Sequence, residues 1–187
     1  MINRHIVDLR IFSTGNFDKG AGAWKIVLWY FVNCIFVRPA IIPFMGFKIF
    51  LLRLFGAKIG KRLYIKPCVL IKSPWKLTIG DDCWLGENCW IDNLDKVTIG
   101  NNVCISQGAL LITGNHDYTK VDFPYRNAPI VIEDGAWIGA KTVVAPGVRI
   151  ASHSILSLGT VMTKDTEPYG IYQGNPGVKI KERVIKS

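Results

Sequence analysis

Three histidines are the side chains of this sequence best suited to moving protons near neutral pH: His5, His116 and His153. An imidazole with an ordinary pKa near ~6.5 can take a proton from a hydroxyl and later hand it to a leaving group. His116 stands in Thr113-Gly114-Asn115-His116-Asp117-Tyr118, a run of turn-forming residues. Asp117, its neighbour, either orients the imidazole or shapes the turn. His5 lies in a polar N-terminal stretch and His153 at a position expected to face outward, so both read as surface residues. The five cysteines include no CxxC pair, and with three scattered histidines they offer no metal-ligand spacing. No metal is therefore expected. The cysteines read as reduced thiols of a cytoplasmic protein without a signal peptide. No serine or cysteine sits in a recognisable nucleophile setting, which favours a one-step reaction over a covalent enzyme intermediate.

These residues need a scaffold, and the sequence writes one out. Ile59, Ile65 and Ile71 are six apart, as are Ile79, Leu85 and Ile91, and Ile99, Ile105 and Leu111. Ile132, Ile138, Val144, Ile150, Leu156 and Met162 continue at the same spacing. A period of six fits neither a strand nor a helix alone. It fits a short strand followed by a turn, with three such units closing a triangular coil and successive coils stacking. Coils beginning at 59, 79 and 99 each hold three sixes and two extra residues at one corner. The markers point inward, and a second, often smaller residue four places on fills the space between coils. Cys83 and Cys89 occupy that slot and read as core. Glycine often follows the marker, as at Gly60, Gly80, Gly86, Gly100 and Gly139, where it is expected to relax the backbone at a corner.

The repeat breaks once. Leu111 to Ile132 spans 21 residues where six are expected, and the insertion falls at 114–129, with His116 inside it. A long loop interrupting a regular scaffold points to function.

Ahead of the repeats, residues 24–55 are apolar and aromatic. The uncharged run from Ile26 to Val37 is too short to span a bilayer, which takes ~20 residues. Two short helices are expected, roughly at 22–37 and 44–55. They either cap the end of the stacked coils or lie at a membrane surface, with Lys25, Arg38, Lys48 and Arg53 toward headgroups. The net charge is +9, from 23 Lys+Arg against 14 Asp+Glu, which suits polyanionic partners. The basic residues are scattered apart from those near the C-terminus, and no nucleic-acid-binding motif accompanies them, so nucleic acid is not expected. At 49% apolar and 20% charged, the chain can bury a core.

The hexapeptide pattern resembles that of the left-handed parallel β-helix acetyltransferases. Several stretches resemble the colanic-acid-type branch of the sugar O-acetyltransferases: Pro74-Trp75-Lys76-Leu77, Trp90-Ile91-Asp92-Asn93-Leu94, the run around His116, Ile132-Glu133-Asp134-Gly135-Ala136-Trp137-Ile138-Gly139-Ala140 and Tyr172-Gln173-Gly174-Asn175-Pro176. Galactoside, maltose and nodulation-factor acetyltransferases are broader relatives. The resemblance implies an all-β, left-handed parallel β-helix with a short N-terminal helical segment and a C-terminal extension. The expected divisions are a polar stretch and helical cap over 1–58, the β-helix over 59–166 with its inserted loop at 114–129, and an extension over 167–187.

By the same resemblance, the chain is an acetyl-CoA-dependent O-acetyltransferase acting on a sugar hydroxyl in polysaccharide or glycan biosynthesis. His116 is implied as the general base. Asn93 is implied as the residue that places the acceptor hydroxyl or stabilises the oxyanion, with Asp92 as the alternative one position away; Tyr118 joins them on the acceptor side. Trp137 would wall the thioester channel. Ala140, Leu158, Thr163 and Lys164 would hold CoA through backbone amides and charge. The family carries an arginine where this chain has Val178, so Lys179 or Lys181 would meet a CoA phosphate as a point charge. Family members are trimers with the site between two prisms, which implies a homotrimer. Two competing readings are a xenobiotic (antibiotic) acetyltransferase with the same chemistry and a non-catalytic β-helix scaffold.

Overall fold

The computed structural model describes residues 6–186; His5 lies outside the described residues. Its body is a three-sided parallel β-helix of very short strands, and the markers at spacing six form its inner ladders. One face pairs Ile59, Ile79, Ile99, Ile132 and Ile150 in parallel register. The second pairs Ile65, Leu85, Ile105, Ile138 and Leu156, and Tyr172 extends it. The third pairs Ile71, Ile91, Leu111, Val144 and Met162. Every marker from Ile65 onward is at most 3% exposed. Removing one such side chain from water stabilises the fold by ~1.5–3 kcal/mol. The residues four places on, including Cys83 and Cys89, are buried at the corners beneath. Burial raises the Cys89 thiol to about 11, so it is an inert filler.

The glycines after the markers have a different cause from the one expected. Gly60, Gly80, Gly86, Gly100 and Gly139 are not among the residues with positive φ. A Cβ at Gly86 would stand 2.5 Å from the Gln107 nitrogen, and one at Gly139 2.4 Å from the Leu156 carbonyl oxygen. Close stacking of one coil on the next, not backbone freedom, excludes a side chain there. The left-handed backbone falls two residues later in the repeat, at Arg62, Cys68, Asp82, Asn88, Asn102 and their counterparts.

Two helices lie on the first coil. α1 (Ala23–Val32) continues through a π-helical turn, Asn33–Val37, and stops at Arg38-Pro39, where the proline cannot donate. α2 (Met45–Leu54) ends at Gly56, whose φ of +102° closes the helix C-terminus. Trp29, 3% exposed, donates its indole N–H to the Ile71 carbonyl at 3.1 Å and sits 5.0 Å from the Phe55 ring. Lys48 is buried and donates to the Pro39 carbonyl at 3.2 Å, so it does not face a headgroup. Burial pulls its pKa below the usual lysine value. At the other end, Gly170–Gln173 adds a parallel strand to the second face, and Val178–Glu182 pairs antiparallel outside it.

Candidate active site

The insertion leaves the β-helix after Leu110–Ile112 and folds back on itself. Asp117 N–H donates to the Pro124 carbonyl at 2.9 Å, Arg126 N–H to the Asn115 carbonyl at 2.8 Å, and Ala128 N–H to the Thr113 carbonyl at 3.0 Å. His116 and Tyr125 face each other across this loop as an antiparallel bridge. The imidazole is fixed from three sides. It stacks on Phe123 at 4.4 Å and 9°, with Tyr125 at 4.9 Å and Phe12 at 5.9 Å. Its Nδ1 lies 2.9 Å from the Phe123 carbonyl oxygen. A carbonyl only accepts, so Nδ1 carries the proton and Nε2 keeps its lone pair. That is the tautomer a general base needs.

Asp117 does not hold the ring. Its carboxylate accepts from the Thr119 amide at 3.1 Å and the Thr119 hydroxyl at 2.5 Å. Those bonds hold its pKa below the ordinary carboxylate value, with Lys120 at 3.9 Å a lesser influence. It shapes the turn, and the Phe123 carbonyl does the orienting. Tyr118, at the tip, is 74% exposed.

Asn93 is also placed away from the chemistry. It is fully buried, with Oδ1 accepting from Ser73 N–H at 2.8 Å and Nδ2 donating to the Ser73 carbonyl at 2.6 Å. It belongs to an inward polar stack, Ser73–Asn93–Thr113, at the corner with the two extra residues, and its burial keeps it out of reach of an acceptor. Asp92, beside it, faces outward one coil before the insertion. It lies in register with Ile112 and is paired by charge with Lys72 at 2.8 Å. Asp92 Oδ1 is itself buried, with the Lys72 ammonium as its partner.

The donor-side candidates lie elsewhere on the prism. Trp137 projects from the second face, half-exposed, and its indole N–H donates to the Ser106 hydroxyl at 2.9 Å. Ala140 and Leu158 stack at the corner after that face, where Gly159 N–H donates to the Ala140 carbonyl at 2.8 Å. Thr163 and Lys164 are exposed just beyond Met162. Lys179 is held by Glu167 and Glu182, each at 2.5 Å, and these raise its pKa; a charge so neutralised is a poor phosphate ligand. Lys181 is exposed on the same outer strand. Within one chain Trp137, Ala140 and Leu158 belong to the second face and the corner after it, whereas the His116 insertion and Thr163–Lys164 both follow strands of the third. Among the described residues no cluster could hold a metal.

One contributor escaped the sequence reading. The N-terminal stretch is a strap over the insertion: Asp8 N–H donates to the Val121 carbonyl at 2.9 Å and Ser13 N–H to the Asp122 carbonyl at 3.3 Å. Phe12 reaches His116, and Phe17 packs on Tyr125 at 4.8 Å. Beside Tyr125 the strap closes a cavity of about 360 Å³ lined by Asn16, Asp18, Lys76, Asp95, Arg126 and Asn127, among others. Lys76 is half-buried there, donating to the Leu94 carbonyl at 2.5 Å, and burial lowers its pKa. Phe12 and Phe17 stand in a stretch that also holds Ile6, Val7, Leu9 and Ile11, with no periodicity to set them apart.

Residues 76–111 and 129–164 match the family described as the hexapeptide repeat of succinyl-transferase, and the gap between them is the His116 insertion with its flanks. Across 95% of this chain and 97% of its own length, a protein of Escherichia coli K12 named for acetyl transfer in colanic acid biosynthesis, WcaF, is 38% identical. Galactoside O-acetyltransferase of the same organism is 32% identical over 67% of this chain and 64% of its own. A hexapeptide-repeat acetyltransferase of Vibrio cholerae, solved with acetyl coenzyme A, superposes with a TM-score of 0.79 at 23% identity, covering 92% of this chain and 96% of that one. With the near full-length match, the repeat and the histidine-bearing insertion in agreement, the chain belongs to the hexapeptide-repeat acetyltransferases and is an acyltransferase.

Proposed function

We propose that this enzyme transfers acetyl from acetyl-CoA to a sugar hydroxyl in polysaccharide biosynthesis, with His116 as general base. The observation that carries the reading is the Nδ1 contact of His116 with the Phe123 carbonyl, which leaves Nε2 basic. Nε2 takes the proton of the acceptor hydroxyl as its oxygen bonds to the thioester carbonyl carbon. The tetrahedral oxyanion collapses, the carbon–sulfur bond breaks, and the proton passes from the imidazolium to the CoA thiolate. The cavity beside Tyr125, lined by amides, carboxylates and cations, suits a polyol. Asp92 is the outward group for an acceptor hydroxyl in place of Asn93. The relatives named for colanic acid and galactoside acetylation support a sugar acceptor.

The active unit is a homotrimer, with His116 of one subunit facing the Ala140–Leu158 corner and Lys164 or Lys181 of the next. The separation of His116 from the Ala140–Leu158 corner within one chain supports that arrangement. Its setting is the cytoplasm, against the inner membrane face. Calorimetric titration with acetyl-CoA, followed by thiol-release assays against a sugar panel, tests the proposal. One donor site per chain and sugar-dependent CoA release are expected. No binding at millimolar acetyl-CoA, or a ping-pong pattern, overturns it, and a gel-filtration mass near one chain overturns the trimer.

A further inference from the structure

The net charge of the chain is strongly segregated. No acidic residue occurs between Asp18 and Asp81, a segment with eleven basic ones; the rest of the sequence has twelve basic and fourteen acidic residues. The +9 surplus therefore comes entirely from the helices and the coil they rest on, at +11, against −2 elsewhere.

The same segment exposes apolar side chains in register. On α1 and its π-helical turn, Trp24, Leu28, Phe31 and Ile35 recur at intervals of four, three and four, and each is more than half exposed. This spacing traces one helical face, opposite the buried Trp29. On α2, Phe47, Phe50 and Leu54 are exposed along a second stripe, while Lys48, Leu51 and Leu52 are buried. Phe36 and Phe47, both partly exposed, meet edge to face at 6.0 Å and join the two helices. Covering the end of the β-helix explains the inner faces only. Exposed apolar surface of this extent marks an interaction site.

We infer that the outward faces of α1 and α2 dock on an anionic phospholipid bilayer, the helices lying in the interface plane. Each helix has 10 residues, and among the described residues no helix is long and apolar enough to cross a membrane. Apolar residues enter the acyl boundary while exposed Arg38, Lys58 and Lys61 meet headgroup phosphates. Charge also selects the occupant: a second copy joined through this face would set one +11 segment against another. The inference deepens the proposed membrane setting and rests on it, not on the acetyl-transfer chemistry.

The test is co-sedimentation of the full chain with vesicles of phosphatidylcholine alone or mixed with phosphatidylglycerol, at low and high salt. Binding at least ~10-fold stronger to the anionic vesicles, and weakened by salt, is expected. Leu28→Glu with Phe31→Glu is expected to lower that binding ~10-fold or more, and Arg38→Gln ~5-fold at low salt. Trp24→Ser, at the most exposed of these positions, is a second variant with little reach into the fold. Equal or absent binding to both vesicle types overturns the inference. So does undiminished binding by the folded variants, or a parent that ignores vesicles and instead loses a self-associated mass on substitution. Turnover of acetyl-CoA with a water-soluble acceptor, measured without vesicles, is expected to survive in the variants; its absence in the parent would count against the transferase reading alone.

Discussion

The stacked coils and the His116 insertion are built by opposite rules. In the coils each residue meets its counterpart one turn above and below, in a register as regular as Ile79 on Ile99 or Leu85 on Ile105. The insertion instead relies on contacts that do not repeat: Phe123 beneath the imidazole, Tyr125 beside it and Phe12 from the far end of the sequence. The coils supply rigidity by repetition, and the proposed general base sits where repetition is interrupted. Stability and activity should therefore separate under mutation.

The largest separation is expected at His116. Replacement by alanine should lower acetyl transfer ~10²–10⁴-fold in a steady-state assay while the urea midpoint stays put. Truncation of the strap at Phe12, as Phe12→Ala, is expected to lower kcat/KM for the acceptor ~10–100-fold by loosening the imidazole and the cavity beside it. Acetyl-CoA affinity by calorimetry should be retained. In the coils the expectation reverses. Leu111→Ala should cost ~2–5 kcal/mol in denaturant unfolding. Two glycine changes sharpen this. Gly139→Ala must push against the Leu156 carbonyl and should destabilise by ~1–3 kcal/mol. Gly46→Ala, in α2 with open space around it, should stabilise by ~0.5–1 kcal/mol.

The smallest effect is expected at Asp117. Asp117→Asn keeps an oxygen for the Thr119 amide and hydroxyl, so turnover should change only a few-fold at neutral pH. A loss of ~10²-fold would restore it as the residue that orients the imidazole. Because the turn depresses the Asp117 pKa, its contribution is present above the ordinary carboxylate range and is lost as pH falls through the lower folded value. The asparagine variant should lack that acid dependence in a turnover profile corrected for His116.

The sequence was legible where contacts are periodic. The markers from Ile59 to Met162 locate every inner ladder, and the one long interval, of 21 residues, locates the insertion. It was less legible where one residue type serves two purposes. Gly86 reads as a flexible corner, yet the neighbouring coil dictates it. Asn93 reads as an acceptor ligand, yet it closes a corner against Ser73. A polar residue in a repeat has the same spelling whether it turns inward or outward, and the two extra corner residues hide which. Asp117 was ambiguous for a similar reason, since a carboxylate after histidine serves a turn or a ring equally well. The strap was not legible at all. Asp8 meets Val121, and no short-range pattern in a polar stretch announces a partner so distant in sequence.

That distance orders events during synthesis. Phe12 is made before any of the coils, yet its ring neighbours His116 and Tyr125 follow only after three coils have been laid down. Loop-closure cost grows slowly with length, so such a late contact is affordable once the coils hold both ends near each other. A segment made ahead of the coils thus finds its place after them, and a nascent enzyme can own a finished scaffold before it owns a finished site.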